Sequence, residues 1–214
     1  WSSDVCSSDL SAILHDIGAL KLQQLLDAED LDDGTKEVVK KNTQETLARY
    51  GDLDEEVPRL ITQMQELYTS ESDAEIPAAL KESVNANILY VADAYDRMTA
   101  MKSFEEPTSE VKAVRELLAD EERYNKKIVN ALIHGISILY PGVCVELTNG
   151  EKGLVVTENE DNIFEPIVLD FRNNNLYDLS DPSVKQTVEI ADVMKTMDNR
   201  IKLDKNLLEE YQAN

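Results

Sequence analysis

Histidine is scarce in this chain, with two residues in 214. One of them, His15, stands in SAILHDIGAL (11–20) with Asp16 directly behind it. An imidazole next to a carboxylate at the end of an apolar run is a donor pair for a divalent metal, and a bound metal activates water for hydrolysis. A third candidate donor, Asp93, lies in ANILYVADAY (86–95), where apolar character wraps almost all round an expected helix. Such a helix is normally buried. An unpaired buried carboxylate is costly, so Asp93 requires a cation or strong donors beside it. The same residues also admit a plainer reading: His15 and Asp16 as a buried imidazole–carboxylate pair at a helix end, with no metal. The second histidine, His134 in NALIHGISIL, reads as ordinary packing or a surface residue.

The elements that would position these groups belong to a markedly acidic chain. It carries 21 basic and 43 acidic residues, a formal charge of −22, with 42% hydrophobic and 30% charged residues. The apolar content is enough for a core. The acidity repels phosphate backbones and anionic lipid, which argues against DNA and membrane-surface binding. No apolar run approaches the roughly 20 residues of a membrane span. Residues 1–10, WSSDVCSSDL, read as an in-frame translation of the end of a widely used sequencing-library adapter, and are set apart from the fold. Cys6 then falls away, leaving Cys144 as a lone, reduced cysteine. Ser11 opens in mid-helix pattern, so the expectation is a chain cut at its N-terminus.

Leu10 to Leu14 read as the last turns of a helix, with Gly18 as its end signal. A short helix is expected over 21–28, and an amphipathic one over 36–50, with Thr35 as N-cap and Val38, Val39, Leu47 and Tyr50 as apolar positions. The spacing of Val57, Leu60, Ile61, Met64 and Leu67 predicts a helix over 55–68. TSESDAEIP is a polar loop. A helix over 79–101 follows, with Leu80, Val84, Ile88, Val91, Tyr95 and Met98 as its stripe, then two shorter ones near 108–119 and 122–136. After Tyr140 the pattern changes to period two. Asn149-Gly150 marks a hairpin. EPIVLDFRNNNLYDL reads as a second strand pair around an Asn-rich turn. Residues 186–214 read as a strand, a short helix and a charged tail. The expected class is mostly α: a helical domain over 11–139, then a small β-rich appendage over 140–214.

The helical part resembles the HD-GYP branch of the HD phosphohydrolase superfamily, and the expected fold is therefore an HD-type helical bundle. AILHDIG (12–18) is similar to the family's LLHDIGK block, and ILYVADAYDRMTA (88–100) to its IL-x-VAD-x-YD-x-MT block. MQE (64–66) falls where the family has His-His-Glu. LYPGVCVELTNGEKGLVV (139–156) resembles the β-segment that often follows the domain in bacterial proteins. The resemblance implies metal-dependent hydrolysis of phosphodiesters, typically cyclic di-GMP, at a cluster of iron or manganese ions. It implies that His15, Asp16 and Asp93 are metal ligands, with Asp16 also catalytic.

The chain departs from that pattern at several positions. Ala19 stands where a lysine is expected, and Asn42 matches a lost histidine. Met64 and Gln65 replace the His-His pair, leaving Glu66, which reads as a face residue. The GYP motif is absent near Ser72, Asp73 and Ala74. Thioether and amide groups are poor ligands for a hard divalent ion. A multi-metal centre is therefore not expected, and at most a single reduced site for iron or manganese remains. The implied function is a degenerate, cytoplasmic HD-GYP-type module of bacterial cyclic-dinucleotide signalling. It would bind a nucleotide, a signalling partner or a second copy of itself. The alternative is an active phosphohydrolase with a reduced HD site.

Overall fold

In the computed structural model, residues 3–25, 32–69, 76–101 and 106–194 are described. Helix predominates, with one small antiparallel sheet. The helices are α1 (Ser3–Leu14), a 3-10 helix (Ala19–Leu25), α2 (Asp33–Leu47), α3 (Glu56–Thr69), α4 (Ala78–Glu82), α5 (Val84–Thr99), α6 (Glu110–Ala119) and α7 (Lys126–Ile136). The strands are β1 (Cys144–Leu147), β2 (Lys152–Thr157), β3 (Ile167–Asp170), β4 (Leu176–Asp178) and, after the single-turn α8 (Pro182–Lys185), β5 (Ile190–Val193). No helix among the described residues is long and apolar enough to cross a membrane.

The described residues divide into two compact units, one holding those up to 108 with 117–129, the other 109–116 with 130–194. In the first, α3 is the central element. Its stripe of Val57, Leu60, Ile61, Met64 and Leu67 is at most 3% exposed. Each such side chain contributes on the order of 1.5–3 kcal/mol by burial. Leu47 of α2 joins Val57 and Ile61, and Leu14, Ile17 and Leu53 pack against them. Tyr90 of α5 is fully buried, edge-on to Tyr68 at 4.7 Å and stacked on Tyr124 at 5.3 Å.

Several expected elements sit differently. α1 begins at Ser3, so most of the segment set apart as adapter-derived is helical here; Ser11, fully buried, donates to the Ser7 carbonyl at 2.7 Å. The helix expected over 21–28 is instead a 3-10 helix kinked at Leu22, and residues 26–28 lie outside the described residues. Asp32, not Thr35, caps α2: its carboxylate accepts from the Thr35 amide at 2.8 Å. A carboxylate satisfies a free amide of the first turn and faces the positive end of the helix dipole. α2 stops at Leu47, short of Tyr50, and its own Val38 faces solvent; both are exposed.

The helix expected over 79–101 is two helices, broken at Ser83. The break rotates the buried face. Val84 and Ile88 are exposed at 62% and 44%, whereas Ala86, Asn87, Leu89, Tyr90, Val91 and Ala94 face inward. Asn87 is the residue that holds the break: its buried Nδ2 donates to the carbonyls of Leu80 and Ser83, each at 2.8 Å.

The sheet of the second unit has the order β4-β3-β2-β1-β5, all neighbours antiparallel. The Asn149-Gly150 turn joins β1 and β2 in the register Val145↔Gly153, with Gly150 at φ +80°. Asn174, at φ +55°, serves the β3–β4 turn. On α6, Arg115 donates to the Ile190 carbonyl at 2.7 Å and covers the Phe164 ring, which ties the helix to the sheet. The short helix and tail expected over 195–214 lie outside the described residues.

Candidate functional site

α1 ends at Leu14, and the next two residues carry the candidate pair. Gly18 then lets the chain run against α2. A Cβ there would lie 2.3 Å from both the Val39 carbonyl oxygen and the Thr43 hydroxyl. Only glycine permits that approach, and the approach fixes the direction in which His15 and Asp16 leave the helix.

The structure brings His15, Asp16 and Asp93 together. The His15 ring is about one-fifth exposed, the Asp93 carboxylate one-tenth, and the Asp16 carboxylate 61%. His15 Nδ1 meets the Ala12 carbonyl at 2.7 Å. Nε2 lies 3.2 Å from Asp93 Oδ1 and 3.3 Å from Asp16 Oδ2. A carbonyl and two carboxylates only accept hydrogen bonds, so this arrangement favours a ring that donates from both nitrogens, the imidazolium. In agreement, the hydrogen bonds to Asp16 and then Asp93 outweigh burial and raise the His15 pKa from 6.5 to about 10. The Asp16 carboxyl is held below its usual range chiefly by its bond to His15.

Two residues that the sequence did not single out complete the cluster. Arg97, one turn after Asp93 on α5, places Nε 2.8 Å from Asp93 Oδ2, and its guanidinium lies over the Tyr68 ring, 4.6 Å from the centroid. The Tyr68 hydroxyl, from α3, donates to the same Asp93 oxygen. Burial pushes the Asp93 carboxyl up, but His15, Arg97 and Tyr68 together hold it below the usual value. Burial and the neighbouring Asp93 charge raise the Tyr68 pKa. The Arg97 spacing of four from Asp93 was a readable signal for an ion pair on one helix face. Tyr68 carried none, since an aromatic at the end of an apolar stripe reads as core.

A cation held by these side chains would need a lone pair on Nε2 and free carboxylate oxygens. As arranged, Nε2 faces two carboxylates, and both Asp93 oxygens face donors of the chain. The three do not fit a resident metal ion in this geometry. Among the described residues, no group of three or more His, Cys, Asp or Glu side chains is disposed to hold one. Met64, at the position matched to a family histidine, is 3% exposed in the α3 core. Asn42 and Glu66 are half-buried on α2 and α3, Asp96 is exposed on α5, and His134 is exposed on α7. Cys144 is a free, partly exposed cysteine whose thiol pKa is raised by burial.

Comparison with protein-family models, curated proteins and solved structures gives no match to this chain.

Proposed function

We propose that the chain is a degenerate HD-GYP-type module. In this reading the helices are an HD-type bundle that no longer hydrolyses cyclic dinucleotides and acts in bacterial signalling as a cytoplasmic binding module. The observation that carries it is that both His15 nitrogens face acceptors of the chain itself, Nδ1 the Ala12 carbonyl at 2.7 Å and Nε2 the Asp93 carboxylate at 3.2 Å, which favours the imidazolium. An imidazolium cannot ligate a metal, and without a metal the superfamily's water has nothing to activate it. The occupant would be a nucleotide, a partner protein or a second copy. The test is a manganese- or iron-loaded preparation of the complete protein offered cyclic di-GMP. Binding without turnover agrees with the reading. Turnover that is lost in Asp16→Ala overturns it.

A second reading rests on the convergence of His15, Asp16 and Asp93. It is a phosphohydrolase with one iron or manganese ion and Asp16 as the catalytic carboxylate. It requires His15 to give up its proton, which at neutral pH costs about 4 kcal/mol for a group titrating near 10. That cost, together with the donors already on Asp93, favours the first reading.

A further inference from the structure

The departures from the metal-binding pattern read in the sequence are losses: imidazoles replaced by Met64, Gln65 and Asn42. The structure adds a cation. Arg97 is fixed twice, by its Nε on Asp93 Oδ2 at 2.8 Å and by its seat over the Tyr68 ring at 4.6 Å. Tyr68 is itself tied to the same carboxylate oxygen through its hydroxyl. A guanidinium held between a carboxylate and an aromatic face is oriented as well as paired.

A divalent ion approaching Asp93 Oδ2 would meet an oxygen that already holds the Arg97 guanidinium and the Tyr68 hydroxyl. With Arg97 gone, Oδ2 has a free lone-pair position and the site loses one positive charge.

We propose that Arg97 is the site's own cation, occupying the position on Asp93 that a divalent metal ion would otherwise take. The inference rests on the reading that the module is non-catalytic. It goes further by tying the metal-free state to a residue present on α5 and not merely to missing ligands. Arg97 acts here through Asp93, as a positioning residue.

The test is titration of the complete protein with Mn2+, following free Mn2+ by electron paramagnetic resonance, for the parent, Arg97→Met, Arg97→Lys and the double variant Arg97→Met/Asp93→Asn. Arg97→Met is expected to bind Mn2+ at least about tenfold more tightly than the parent, a change of the size seen when groups around metal ligands are altered. Arg97→Lys, which keeps the cation, should stay close to the parent, and Asp93→Asn should abolish the gain. Arg97 is about half exposed, so its replacement should leave the fold intact. If the Met variant does not fold by circular dichroism, Arg97→Gln replaces it with the same expectation. A folded variant that binds Mn2+ no more tightly than the parent overturns the proposal, as does a gain that survives Asp93→Asn. A parent that holds Mn2+ and hydrolyses cyclic di-GMP overturns the non-catalytic reading itself, an outcome read from the parent alone.

Discussion

His15 Nε2 and Asp93 Oδ1 lie 3.2 Å apart, although 78 residues separate them in sequence. This contact joins the end of α1 to the middle of α5, and Tyr68 and Arg97 attach α3 and a second charge to it. The cluster is therefore a structural tie between three helical segments, and its removal has measurable consequences.

Replacing Asp93 by Asn leaves the His15 and Arg97 charges without their shared partner. Breaking a buried ion pair from one side costs about 3–5 kcal/mol. Because Arg97 is half exposed and can turn to solvent, the expected loss is about 2–3 kcal/mol. Tyr68→Phe removes one donor to a charged acceptor and should cost about 1–2 kcal/mol. Urea unfolding of the three proteins checks both. An Asp93→Asn protein as stable as the parent would show that the cluster contributes nothing.

The same groups set a pH dependence. The folded-state pKa of His15 is raised from 6.5 to about 10, so its contribution is complete below 6.5 and is lost as pH rises toward 10. Asp16 and Asp93 are shifted down, so their contributions are present above their ordinary value of 3.8 and are lost as pH falls through their lower folded values. Stability should therefore be greatest between about pH 4 and 6.5 as far as this cluster decides it, and decline on the alkaline side. His15→Gln should flatten the alkaline decline in a series of urea midpoints. An alkaline limb unchanged by that substitution would contradict the assignment.

Gly18→Ala tests how tightly the pair is aimed. The added Cβ would strike the Val39 backbone oxygen, which cannot turn aside as a side chain can. Overpacking of this kind costs about 1–3 kcal/mol, and here the upper end is expected. The thermal midpoint should fall accordingly.

Asn87→Ala should cost about 1 kcal/mol, because the Leu80 and Ser83 carbonyls lose the buried Nδ2 donor and keep only the backbone amides of Ser83 and Asn87. Asn87→Leu should not recover that loss despite its greater apolar volume, since no donor replaces Nδ2. A Leu variant more stable than the parent would show that the break is not held by this side chain.

Where one signal determined an element, the sequence was sufficient. The α3 stripe at spacings of three and four is the core of the first unit, and Asn149-Gly150 marks the hairpin in which β1 and β2 pair. The burial of Asp93 followed from the apolar helix around it, and with it the need for donors. The register of α5 did not follow. A single stripe from Leu80 onward ignores the change of phase at Ser83, and the residue that causes it, Asn87, looks like a surface position until its two backbone partners are known. The convergence of His15, Asp16 and Asp93 followed from reading them as one donor set; Arg97 and Tyr68 beside them did not. Asp93 required a cation or strong donors, and either a metal or an arginine one turn away satisfies that requirement on paper. Tyr68, placed by tertiary packing, adds its hydroxyl to Asp93 and its ring to Arg97.

The protonation state of His15 is the most direct measure of the central claim, and the presence of only two histidines makes it accessible. Long-range 1H–15N correlation spectra of the imidazoles at pH 8 should show one ring with both nitrogens protonated, assigned to His15 by its absence in His15→Gln. That result follows from a pKa near 10 and from two ring nitrogens that both donate. A neutral His15 ring with a free nitrogen at that pH, or one whose signals are shifted by a bound metal ion, would contradict it.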